Sequence, residues 1–117
     1  MDSKQLKDRT KKFALDIISF LRSIKQDRIT QVLFNQLLRS ATSVAANYRA
    51  ACKAKSKPDF INKIGIFLEE ADESLFWLEL INESGILKND NIKILMSEAN
   101  ELTAIFSSIR KTSRENG

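Results

Sequence analysis

Histidine is absent from this chain, cysteine and proline occur once each, and glycine only three times. Without histidine the sequence lacks the usual general base, the usual activator of a nucleophile and the commonest zinc ligand. A di-iron bundle site built on Glu-x-x-His is excluded on the same ground. There is no glycine-rich phosphate loop. These absences argue against an enzyme, and no catalytic residue, metal ligand or cofactor is expected. The lone Cys52 rules out an internal disulfide and suits a reducing cytoplasm. Flanked by Ala50, Ala51 and Lys53, it reads as a small packed thiol. Long apolar runs are missing too. The longest, Ile64 to Leu68, falls far short of the roughly 20 residues that span a bilayer. The N-terminus is basic and then apolar, as in a secretion signal, but Asp16 interrupts the apolar part and no small-residue cleavage site follows. It reads as a first helix, and the expected location is the cytoplasm, with no membrane partner.

What remains favours helices. With 117 residues the chain suits one domain spanning 1–117, and scarce glycine and proline leave long segments unbroken. The first helix is expected from Ser3 to Lys25, with Phe13, Ile17, Phe20 and Ile24 on one stripe and Ala14, Ile18 and Leu21 beside it. Thr30 is a candidate N-cap for a second helix reaching Ala54, whose inward set is Phe34, Leu37, Ala41, Val44 and Tyr48. Lys55-Ser56-Lys57-Pro58-Asp59 is the clearest break, since Ser56 can cap, Pro58 fits a first turn and Asp59 suits a positive helix start. A third helix then covers 57–83, stopping before Gly85, and Ile86-Leu87-Lys88 forms a loop. Asn89 or Asp90 caps a fourth helix over 90–111, with a 3-4-3-4-3 seam of Ile92, Leu95, Ala99, Leu102, Phe106 and Ile109. Residues 112–117 read as a frayed tail. The fold class expected is all-α: an up-down-up-down antiparallel four-helix bundle.

The third helix is more apolar than one bundle seam needs. Phe60, Ile64, Phe67, Ala71, Leu75 and Leu78 fill a seam, leaving Ile61, Ile66, Leu68, Phe76, Trp77, Leu80 and Ile81. Either four wide faces share a generous core, or copies of the chain cover the surplus. The second arrangement, a homo-oligomer, accounts better for so large an apolar patch.

Charge is sorted by end. In an antiparallel bundle one pole gathers Lys4, Lys7, Arg9, Lys11, Lys12, Arg49, Lys53, Lys55, Lys57, Lys63, Arg110, Lys111 and Arg114 against Asp2, Asp8, Asp59 and Glu115. Helix dipoles account for basic residues ending the second and fourth helices. They do not account for five within the first 12 residues, where a dipole prefers acids. Lys4, Lys7, Arg9, Lys11, Lys12, Arg49, Lys53, Lys55 and Lys57 are therefore candidate phosphate contacts for RNA or DNA. The alternative is a solvated end that keeps the protein soluble. Stacking aromatics are missing from this pole apart from Tyr48, so base-specific readout is not indicated.

Some polar residues exceed what packing requires. Arg39 and Glu73 stand equally far from the turn at Ser56, so antiparallel pairing sets Arg39 beside Glu70 or Glu73, within one chain or between two. Arg39, Asn47, Glu70, Glu73 and Trp77 are candidates for a structural or oligomer-forming polar network. The cluster Glu69, Glu70, Asp72 and Glu73 reads as a solvated or salt-bridged face rather than a metal site, and Glu98 and Glu101 as ordinary surface residues.

The stretch LLRSATSVAANYRAACKAKSKPDFINKIGIFLEEADESLFWLELI, with the later Glu98-Ala99-Asn100-Glu101-Leu102, resembles the bacterial four helix bundle protein family. Its members are also known as proteins encoded in intervening sequences of 23S ribosomal RNA genes. The similarity runs from Phe13 to about Lys111 and is carried by Arg39, Ser40, Val44, Asn47, Arg49, Ala50, Phe60, Lys63, Glu70, Ala71, Glu73, Trp77 and Leu80. The resemblance implies a homopentamer of antiparallel bundles around a central opening. It also implies similarity to the accessory protein of diversity-generating retroelements, which binds a reverse transcriptase and RNA. Two readings follow: a nucleic-acid-associated accessory protein, or a protein–protein scaffold with no direct contact to nucleic acid.

Overall fold

The computed structural model describes residues 1–87 and 89–116. Four helices account for most of them: α1 (Ser3–Arg22), α2 (Arg28–Ala51), α3 (Lys57–Glu83) and α4 (Asn91–Glu115). No strand occurs among the described residues.

Local chemistry sets the helix starts. Asp2 caps α1 through a reciprocal box: its carboxylate accepts from the Gln5 N–H at 2.8 Å, and its own N–H donates to Gln5 Oε1 at 2.9 Å. Asp27, not Thr30, caps α2. Asp27 Oδ1 accepts from the N–H groups of Ile29 and Thr30, and the Thr30 hydroxyl accepts from the Asp27 N–H at 2.7 Å. Thr30 is thus the third residue of the helix, the return half of a capping box. Ser56 Oγ accepts from the Asp59 N–H at the start of α3, with Pro58 in the first turn. At α4, Asp90 holds the N-cap position without a side-chain bond, while Asn89 Oδ1 accepts from the Asn91 N–H at 2.9 Å.

The helix ends depart from the sequence expectation at several points. α1 stops at Arg22 rather than Lys25, because Ser23 turns its hydroxyl onto the Phe20 carbonyl at 2.6 Å and closes the last turn. α2 ends at Ala51, leaving Cys52 exposed rather than packed: Ala51 takes the last inward position and the thiol falls beyond it. α3 ends at Glu83 as expected, with Gly85 at φ +73°, a left-handed conformation that only glycine adopts without strain. α4 continues through Thr112 to Glu115, so those residues are helical rather than frayed. Of the expected loop and tail, Lys88 and Gly117 lie outside the described residues.

Each helix packs on its two neighbours in the order α1, α2, α3, α4. The α2–α3 pair is the most intimate and α1–α4 the least. The bundle measures 47 × 22 × 20 Å. Its core is continuous from Leu6 through Ile17, Leu37, Val44, Ile64, Leu78, Ala99 and Leu102. Three rings pack against one another within it. Phe67 meets Tyr48 at 5.3 Å and Phe106 at 4.6 Å, both edge-on. Of the surplus apolar residues of α3, Ile81 is fully buried, whereas Phe60 and Leu75, assigned to the seam, are only partly so. Ile66, Phe76 and Leu80 remain exposed. Inside the α2–α3 seam, Ser40 and Ser74 sit fully buried with their hydroxyl oxygens 3.0 Å apart. Carbonyls of Leu37 and Glu70 lie within reach, so each proton has an acceptor.

Candidate functional site

Helical phase divides the basic residues of α1 between two neighbours. Lys4, Lys7 and Lys11 recur at spacings of three and four and face α2, while Arg9 and Lys12 face α4. Lys4, Lys7 and Lys11 form one wall of a groove of about 610 Å³, opposite Arg49 of α2, with Thr42, Ala45 and Ala46 as its small-residue floor. Among the described residues the one acid on the lining is Asp8, whose carboxylate is 3.0 Å from Lys4 Nζ. That hydrogen bond raises the Lys4 ammonium above its ordinary value.

Arg9 does something else. Its Nε donates to Glu98 Oε2 at 2.8 Å and its Nη2 to Glu98 Oε1 at 2.6 Å, a two-pronged contact, with Glu101 Oε1 at 3.2 Å. The hydrogen bond to Glu98 raises the guanidinium still further above its already high value. This bridge ties α1 to α4, the least closely packed of the neighbouring pairs. Arg9 is therefore committed to carboxylates, and Glu98 is more than a surface residue, whereas Glu101 stays largely exposed as expected. Lys12 pairs with Asp16 at 2.7 Å, and that hydrogen bond likewise raises it. Lys53, Lys55 and Lys57 are exposed around the α2–α3 turn at the same end as the groove, but outside its lining. Among the described residues no carboxylate forms a salt bridge with Lys7, Lys11, Arg49, Lys53, Lys55 or Lys57. Lys63 is held by Asp59 at 2.6 Å, and that bond lowers the Asp59 carboxyl.

Tyr48 offers no stacking surface. It is buried between Phe67 and Phe106, and burial, with a smaller contribution from the Cys52 thiol, pushes its phenol up.

The polar network resolves into separate parts. Arg39 joins α2 to α3 within a single chain, donating through Nη2 to Glu73 at 2.8 Å and through Nη1 to Glu70 at 3.4 Å. Burial and the neighbouring Glu73 carboxylate push Glu70 up against the pull of Arg39, so Glu73, at the shorter distance, is the stronger partner. Asn47 does not join them. Its Nδ2 donates to the Ser43 carbonyl one turn back in the same helix, at 2.8 Å. Trp77 packs edge-on against Phe76 with centroids 5.0 Å apart, and its Nε1 is buried without a hydrogen-bond partner among the described residues. Ser40 and Ser74, which the sequence reading did not assign to this seam, complete it; Ser40 entered that reading only through the family resemblance, and the signal for Ser74 is a hydroxyl at a core-phase position. Among the described residues no three acidic or thiol groups converge to hold a metal ion, and no helix is long and apolar enough to cross a membrane.

Comparison with known proteins adds a family. The sequence profile of the 23S rRNA-intervening sequence proteins matches residues 3–108. Among solved structures, the chain is similar to a protein of unknown function from the S23 ribosomal protein family of Bacteroides thetaiotaomicron. The identity is 33% and the TM-score 0.83, over 95% of this chain and 99% of that one. No curated protein matches.

Proposed function

The chain belongs to the 23S rRNA-intervening sequence protein family, and on that footing we propose that it is a non-enzymatic accessory protein that assembles with copies of itself and holds RNA or DNA by the phosphates at the basic end of its bundle. The observation that carries this reading is the set of side-chain cations there that form no salt bridge among the described residues: Lys7, Lys11, Arg49, Lys53, Lys55 and Lys57. The chain has 15 acids, and several neutralise neighbouring cations, as Asp16 and Asp59 do. Phosphate contact without base readout fits this end, because its one tyrosine is buried in the core.

Self-assembly draws support from the outward side of the α2–α3 pair. Ile29 and Val32 are 69% and 61% exposed, and Phe76 and Leu80 of α3 are exposed too. Trp77 beside them carries a buried N–H with no acceptor. Water alone leaves such a face costly, and a second copy covers it. A pentamer, as the family resemblance implies, is the assembly to test. The same face is what favours a second reading, a scaffold docking another protein such as a reverse transcriptase.

Fluorescence anisotropy with labelled single-stranded RNA and duplex DNA, at low and physiological salt, tests the first reading. Binding that weakens steeply with salt supports it, and absence of binding at low salt removes it. Light scattering on the purified protein tests assembly: a monomer at micromolar concentration would leave the α2–α3 face to a different protein.

A further inference from the structure

We infer that the groove between α1 and α2 seats a single phosphodiester strand, with Lys7, Lys11 and Arg49 on its phosphates and Asp8 as a built-in brake on affinity. The inference rests on the phosphate-binding reading above and gives it a location and a stoichiometry.

Shape comes first. Packed helices lie about 8–10 Å apart, so the cleft between two of them admits one strand of backbone and not the body of a duplex. The floor of Thr42, Ala45 and Ala46 keeps the 610 Å³ groove open where larger side chains would fill it. It carries no ring on which a base could stack, so the groove accepts a sugar–phosphate chain irrespective of sequence.

Charge spacing comes second. With a rise of 1.5 Å per residue, Lys4 to Lys11 spans about 10 Å, the axial length of about three phosphates in a stacked strand. Arg49 faces them from the other wall, and its planar fork suits a phosphate better than an ammonium does. Neither Lys7 nor Lys11 nor Arg49 has a carboxylate partner among the described residues, so binding displaces solvent and counterions rather than an existing ion pair. The bases of a strand seated this way point out of the groove, and a duplex can present one of its two backbones to the same cations.

Asp8 is the opposing element. It lies on the groove lining and holds Lys4 at 3.0 Å, which both repels phosphate and occupies the cation nearest the helix start. Removing its charge frees Lys4 and strengthens binding, an effect opposite in sign to ordinary damage.

The test compares matched variants of the full chain by anisotropy with labelled single-stranded RNA, with duplex DNA of the same sequence, and with unlabelled inorganic polyphosphate as competitor. Lys7→Glu with Arg49→Glu should weaken binding about 30-fold or more and flatten the salt dependence by about two counterions. Lys53→Glu with Lys55→Glu, the same charge change outside the groove, should weaken it about threefold. Asp8→Asn should tighten it about three- to tenfold, a gain that misfolding does not produce. Equal losses for RNA and duplex identify the shared backbone as the ligand, and a loss confined to RNA identifies an unpaired strand. Polyphosphate should compete with either. If both double variants weaken binding alike and Asp8→Asn changes nothing, the groove assignment falls while the phosphate-binding reading stands. If the unaltered protein binds none of the probes, both fall together.

Discussion

Replacing Arg9 by methionine removes the bridge between α1 and α4 while keeping the aliphatic stem that lies along the helices. Two short bonds to Glu98, at 2.8 and 2.6 Å, make the pair stronger than an ordinary surface contact. Partial solvent access pulls the other way, since the Arg9 and Glu98 side chains retain 21% and 28% of their exposure. Exposed pairs contribute roughly 0.2–1 kcal/mol and charge-assisted hydrogen bonds roughly 1.5–3, so a coupling of about 1–2 kcal/mol is expected. The third partner, Glu101, adds little because it is 63% exposed. Urea unfolding followed by far-ultraviolet circular dichroism measures this through a double-mutant cycle of Arg9→Met, Glu98→Gln and the pair. Arg9→Met should also leave nucleic-acid affinity within about twofold, because the guanidinium already spends its donors on carboxylates. A coupling energy indistinguishable from zero would refute the reasoning. It would mean that α1 docks on α4 through core side chains alone, with Arg9 free in solution to meet phosphates.

Three further outcomes are expected. Ala at Gly65 and Ala at Gly85 should have opposite effects on the urea midpoint although a Cβ meets nothing within 4 Å at either site. Gly65 is mid-helix, so Gly65→Ala stabilises by about 0.5–1 kcal/mol, while Gly85→Ala, at φ +73°, costs about 1–2. Phe67→Ala, which removes one ring of the mutually packed Tyr48–Phe67–Phe106 cluster, should cost about 3–5 kcal/mol. A loss under about 1 kcal/mol would mean that the cluster collapses to fill the void. Stability should also carry two acid-range signatures of opposite sign. Asp59 is held below the ordinary aspartate value of 3.8 by Lys63 and the Lys55 N–H, so its contribution is present above that pH and lost as pH falls through the folded value. Glu70, raised above 4.5 by burial and then by Glu73, contributes below that pH and loses the contribution as pH rises through the folded value. Midpoints measured against pH should therefore show Asp59→Asn flattening the acid limb and Glu70→Gln flattening the decline above 4.5. A Glu70→Gln curve parallel to the unaltered protein's would contradict the second assignment.

Much of the fold was legible residue by residue. The inward phase of Phe34, Leu37, Ala41, Val44 and Tyr48 follows from a period of 3.6, and all five are buried. Gly85 after α3 and Ser56 before it are local devices readable without a tertiary structure. Pairing of Arg39 with Glu73 was legible because a short turn fixes the register of α2 on α3. The misread boundaries have local causes of another kind. Asp27 and Thr30 are both good caps, and the backbone chose the arrangement that satisfies both side chains at once.

The sequence by itself determined which residues of each helix turn inward, where the helices begin within a turn or so, and that the molecule is basic at one end. Tertiary structure decided which cations remain available there. Arg9 and Glu98 are separated by 89 positions, and no spacing rule joins them. Helical periodicity gives each side chain an angle around its own axis, but a ring of four helices can close with either neighbour on a given side. Only the closed ring tells Lys7 that it faces the open floor of α2, and Arg9 that it faces the carboxylates of α4.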